Sequence, residues 1–139
     1  MIRYVLDTDT LTLFRNGHPT VSQNVSAHPL SELAVTVISV EETLAGWYSR
    51  LRQAKRPDQL ARAYDRLRDS VIFLNRFEIL TYGVPAIARA AGLRQQRLKI
   101  GTMDLRIAAI ALEAGATLVT RNRRDFQRVP NLVIEDWSV

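Results

Sequence analysis

Short runs of apolar and β-branched residues alternate along the chain with longer stretches whose apolar positions recur at helical spacing. A parallel strand needs a crossover helix before its neighbour, so this alternation predicts an α/β fold with a mainly parallel sheet flanked by helices. Four or five strands are predicted, at residues 2–6, 34–39, 71–74, 117–120 and 132–134. Between them, residues 41–53 carry Leu44, Trp47, Tyr48 and Leu51 at i, i+3, i+4 and i+7, an apolar stripe expected to face the sheet. Pro57 stands where a first helical residue often does, and Leu60, Tyr64 and Leu67 continue at helical spacing, which predicts a helix over 57–69 with Arg and Lys on its other face. Segments 85–91 and 102–114 each run into a glycine, Gly92 and Gly115, a C-terminal helix signal. With no repeat, low-complexity tract or linker, residues 1–139 are read as one domain.

Composition narrows the class. Apolar residues make up 47% and charged residues 24% of the chain, which is enough to bury a core. No apolar run approaches the roughly 18 residues of a membrane span, and Met1-Ile2-Arg3-Tyr4-Val5-Leu6-Asp7 lacks a signal peptide's long apolar stretch, so a cytoplasmic location is expected. The absence of cysteine excludes disulfide scaffolds, Cys-based zinc sites and thiol catalysis. His18 and His28 each precede a proline and lack the i, i+4 spacing of a zinc site, so both are expected at the surface. Net charge is +5 with a pI near 10.2, and the basic residues concentrate in 50–68 and 89–99. A run of charge is first of all a solvated face, but this balance suits a polyanionic partner.

The acidic residues fall where an α/β sheet does its chemistry, because ligands bind outside the carboxyl ends of the strands. The first strand runs into Asp7-Thr8-Asp9-Thr10, the second into Ser39-Val40-Glu41-Glu42 and the fourth into Thr120-Arg121-Asn122-Arg123-Arg124-Asp125. Asp104 lies in the first turn of the 102–114 helix, which faces the same edge. Each has a structural alternative: Asp7 or Asp9 as a helix cap, Ser39 with Glu42 as a capping box, and Asp104 at the positive end of a helix dipole.

The order of these pieces resembles PIN-domain nucleases, in particular VapC-type toxins, over nearly the whole length. The resemblance rests on Val5-Leu6-Asp7-Thr8-Asp9, the segment from Ile38 to Gly46, Asp104-Leu105-Arg106-Ile107-Ala108-Ala109, and the segment from Leu118 to Phe126. It implies a single PIN-like nuclease domain, a parallel sheet flanked by helices, and acidic residues that bind Mg²⁺ or Mn²⁺ to cut RNA. Asp7, Glu42 and Asp104 match the family's first three acids, with Gly46 setting the register that selects Glu42 over Glu41. Two departures stand out. Asp9 replaces the usual Asn, and Asn122 stands where the family shows Asp, leaving Asn122 and Asp125 as candidates to complete the metal site. A VapB-like antitoxin partner and a homodimer are also implied. An oxygen-only ligand set suits a hard cation rather than zinc.

Two rival readings use some of the same residues. Asp7-Thr8-Asp9-Thr10 also fits the DxDxT motif of haloacid-dehalogenase-like phosphatases, with Asp7 as nucleophile, Asp9 as acid/base, Lys99 as the lysine and Asn122 with Asp125 as a degraded metal pair. That reading assigns nothing to Glu42 or Asp104, and 139 residues is short for the fold. A non-catalytic RNA-binding module accounts for the charge but ignores the acids.

Overall fold

The computed structural model describes residues 1–139. Five parallel strands form one sheet in the order β3-β2-β1-β4-β5, with β1 (Tyr4–Leu6), β2 (Leu33–Thr36), β3 (Glu78–Leu80), β4 (Thr117–Val119) and β5 (Ile134–Glu135). Tyr4 pairs with Leu33 on one side and Thr117 on the other, so β1 is central. The chain moves outward from β1 in one direction through β2 and β3, then returns to begin again at β4. The crevice between β1 and β4 is therefore the topological switch point.

Strand periodicity divides the core between the two faces. Val5, Ala34 and Leu118 pack on one side with α5 (Val84–Gln95) and α6 (Thr102–Ala114). Leu6, Leu33, Val35 and Val119 pack on the other with residues of α1 (Thr8–Arg15), α2 (Pro19–Ser26) and the end of α4 (Pro57–Leu74). Between the layers' edges runs α3 (Val37–Gln53), and α7 (Arg123–Phe126) follows β4 with Phe126 buried in the first core.

Several expectations are corrected. Residues 71–74 are the last turn of α4, not a strand, and the third strand is Glu78–Leu80. A short apolar run has no periodicity of its own to separate helix from strand; here Ser70 and Leu74 bury an i, i+4 pair while Val71 and Ile72 face outward. The second strand ends at Thr36, whose hydroxyl accepts a hydrogen bond from the Ser39 N–H at 3.2 Å. Thr36 is thus the cap of α3, and Ser39 with Glu42 is not a capping box. Helix α5 continues through Gly92 because Ala86, Ala90 and Leu93 bury at i, i+4 and i+7, which outweighs a glycine cost of about 1 kcal/mol. Gly115 does end α6, at φ +64 in the left-handed region. The α3 stripe does not bury against the sheet: Tyr48 is exposed and Trp47 half-buried, as are Leu60 and Tyr64 exposed on α4.

Neither histidine is simply a surface residue. His18 caps α2 by accepting the Val21 N–H at 3.3 Å, and His28 stacks on Trp137 at 4.9 Å with its Nδ1 against the Asn24 carbonyl at 2.8 Å.

Candidate metal site

Asp7 is placed by the end of β1. Its N–H continues the ladder to the Val119 carbonyl at 3.0 Å, and its Oδ1 accepts the Thr10 N–H at 2.8 Å as the cap of α1. It is at once a helix cap and a buried carboxylate at the switch point. Burial holds its pKa above the ordinary value, against hydrogen bonds from Thr120 and Thr10 that favour the anion.

Glu42 comes from the second turn of α3. Its Oε1 accepts a hydrogen bond from the Thr8 hydroxyl at 2.7 Å, and the same hydroxyl lies 2.8 Å from Ser39 Oγ. Ser39, buried in the first turn of α3, thereby braces the link between α1 and α3 that aims Glu42. Glu41, one position earlier, is exposed. Asp104 enters from the first turn of α6, which runs antiparallel to β4 and so brings its N-terminus to the carboxyl edge of the sheet. Burial first, then the charges of Glu42, Asp7 and Asp125, push its pKa up to about 6.

These three carboxylates, with Asp9 and Asn122, line one open cavity of about 640 Å³ at the switch point. Asp9 is committed elsewhere: both its oxygens meet Arg121, at 2.6 and 3.3 Å, in a half-exposed ion pair. Asn122 caps α7 through its Oδ1, which accepts the Asp125 N–H at 3.4 Å. Asp125 does not line the cavity; it pairs with Arg128 at 3.5 Å and accepts the Asn122 amide at 3.1 Å. Its charge nevertheless reaches Asp104. Lys99 lies outside the cavity as well, at φ +60 beside a separate pocket with Arg94 and Arg97, so the phosphatase reading loses its lysine.

As they stand, no three of the carboxylates close into one coordination sphere. In kind they fit a hard divalent cation: the donors are all oxygen, Asp104 lacks a counter-charge, and no hydrogen bond offsets its repulsion. Asp7, Glu42 and Asp104 are the residues that would hold such an ion, with Asn122 on the same cavity as a neutral oxygen donor.

The fold is shared with known proteins. The PIN domain family model matches residues 4–132, and the chain belongs to that family. Within it, the chain is similar to ribonuclease VapC2 of Rickettsia felis, with 32% identity over 139 residues covering 97% of this chain and 98% of the relative. It is also similar to the tRNA(fMet)-specific endonuclease VapC of Salmonella typhimurium, at 26% identity over 99% of both chains. Among solved structures, the VapBC2 complex of Rickettsia felis bound to a DNA fragment from its promoter superposes with a TM-score of 0.73, at 32% identity and 99% coverage of each chain.

Sequence reasoning missed Thr8, Ser39 and Thr120, the hydroxyls that orient or stabilise Glu42 and Asp7. All three sit in segments that carry the family resemblance, but their roles depend on contacts between elements, for which spacing gives no signal.

Proposed function

We propose that this chain is a metal-dependent endoribonuclease, the toxin half of a pair with a VapB-like antitoxin, hydrolysing RNA phosphodiester bonds. The observation that carries this reading is the meeting of Asp7, Glu42 and Asp104, from three separate elements, around one cavity at the switch point. The names of the relatives, ribonuclease and tRNA-specific endonuclease, support the same chemistry. Bound Mg²⁺ or Mn²⁺ would supply a Lewis acid that lowers the pKa of a water and neutralises charge on the phosphate. The protein's part is positioning. Asp7 is held by the Thr10 N–H, and Glu42 by the Thr8 hydroxyl. Asp104 is the carboxylate with no such tether, and the first turn of α6 places it. An antitoxin segment covering the cavity would exclude RNA, and the solved relatives in complex with partners favour such regulation. A homodimer and a cytoplasmic location belong to the same reading; no helix here is long and apolar enough to cross a membrane.

The test is incubation of purified protein with a mixed RNA pool, with Mg²⁺, with Mn²⁺ and with EDTA. Cleavage is expected only with a divalent ion and should be abolished in Asp7→Asn, Glu42→Gln and Asp104→Asn. Cleavage that survives EDTA, or that all three variants retain, overturns the reading.

A further inference from the structure

A second feature opens directly from the acidic cavity. At Thr8 and Glu42 the cavity continues into a groove of about 430 Å³ between α1, α3 and α4, and this passes Trp47, Arg50 and Arg66 into a further hollow of about 460 Å³ at the α3–α4 hairpin. The polarity reverses along the way. Glu42, at the inner end, is the one carboxylate on its walls, whereas Arg15, Arg50, Arg62 and Arg66 line the rest. None of these four guanidiniums is in an ion pair, although six other arginines in the chain are.

Two further details show how the groove is built. Arg50 lies over the Trp47 ring at 5.1 Å, so an aromatic face and a planar cation stand together at mid-groove. Arg15 is held by Ser70 Oγ and lies 5.7 Å from the Phe73 ring, which fixes its charge against the wall. Arginines left without carboxylates along a concave surface match a polyanion, and aromatic or guanidinium planes stack bases irrespective of sequence. From Glu42 to Arg50 is about 12 Å along the helix, at 1.5 Å per residue. That is room for about three stacked nucleotides at roughly 3.4 Å each.

We propose that this groove is the track for the single-stranded RNA flank of the scissile phosphate, with Trp47 as stacking platform and Arg15, Arg50 and Arg66 as phosphate contacts. The inference rests on the nuclease reading for its substrate class, but its test needs no catalysis. The chain has two tryptophans, and Trp137 is buried, so quenching of intrinsic fluorescence by a short oligoadenylate in EDTA reports on Trp47. Saturable quenching is expected in the wild type and in Asp104→Asn, and none in Trp47→Phe.

With a fluorescently labelled oligoadenylate, Trp47→Ala should bind about five- to a hundredfold more weakly, and Trp47→Phe should recover much of that loss because it keeps a stacking ring. Arg50→Gln and Arg66→Gln should each flatten the dependence of log affinity on log salt by about 0.7. Trp47→Ala binding as tightly as wild type, or salt slopes unchanged in both arginine variants, overturns the track. So does protection of Trp47 by an acidic peptide but not by RNA, which would make the groove a protein-docking surface. RNA that quenches Trp47 but is never cut with Mg²⁺ would remove the nuclease reading and support the track; RNA that is cut equally well by Trp47→Ala would remove the track alone.

Discussion

Replacing Asp104 by asparagine should make the metal-free protein more stable while making it inactive, and the gain should grow with pH. Asp104 is the cleanest of the three acids for this purpose because it caps no helix; the α6 cap position is Gly101. Its carboxyl rises from the ordinary 3.8 to about 6 through burial and then the charges of Glu42, Asp7 and Asp125. Since the folded protein holds this proton more tightly than the unfolded chain, the stability it contributes is present below 3.8 and lost as pH rises through about 6. Taken in full, that rise is worth about 3 kcal/mol. Asp104 is only half-buried, so solvent screening reduces it to about 1–2 kcal/mol. The asparagine does not titrate and forgoes up to about 0.5 kcal/mol of favourable interaction with the α6 dipole. Its net advantage should therefore be about 1 kcal/mol at pH 8, or about 3 °C in melting temperature, and should shrink towards zero at pH 4. Melting curves of both proteins in EDTA across that range measure it. Saturating Mg²⁺ should reverse the order, since an ion at a hundred times its dissociation constant stabilises only the protein that binds it, by about 2.7 kcal/mol. An Asp104→Asn protein less stable than wild type at pH 8 in EDTA, with an equal Mg²⁺ shift in both, would refute the shared acidic pocket.

Asp7 combines two roles that substitutions can separate. Asp7→Asn keeps an oxygen for the Thr10 N–H and should be at least as stable as wild type without metal, whereas Asp7→Ala should fall about 1 kcal/mol below the asparagine variant in urea unfolding; equal stabilities would remove the cap. Thr8→Val removes the hydrogen bond that aims Glu42, so the Mg²⁺ concentration for half-maximal cleavage should rise about tenfold or more, and an unchanged midpoint would show that Glu42 needs no such support.

The sequence by itself determined the fold class, because alternation of apolar strands and amphipathic helices is a local property that each segment carries alone. It also set the bounds of α6, where an alanine-rich stretch ends on a glycine able to take φ +64. The positions of the acids followed in part: Asp7 ends an unmistakable strand, and Glu42 and Asp104 were selected by resemblance to a family rather than by spacing. Tertiary structure decided the rest. Residues 71–74 became helix because Ser70 and Leu74 found burial together, and the edge strand at Glu78–Leu80 exists only by pairing with β2. The strand order, and with it the switch point where the acids meet, depends on which strands pair across distant sequence. The partners of individual carboxylates are equally non-local. Thr8 tethers Glu42 from 34 residues away, and Arg121 takes up Asp9 from 112 residues away, so that adjacent motif residues Asp7 and Asp9 end in different circumstances. Periodicity reports which face of a segment is apolar, but the charge that reaches a carboxylate depends on what the fold brings alongside it.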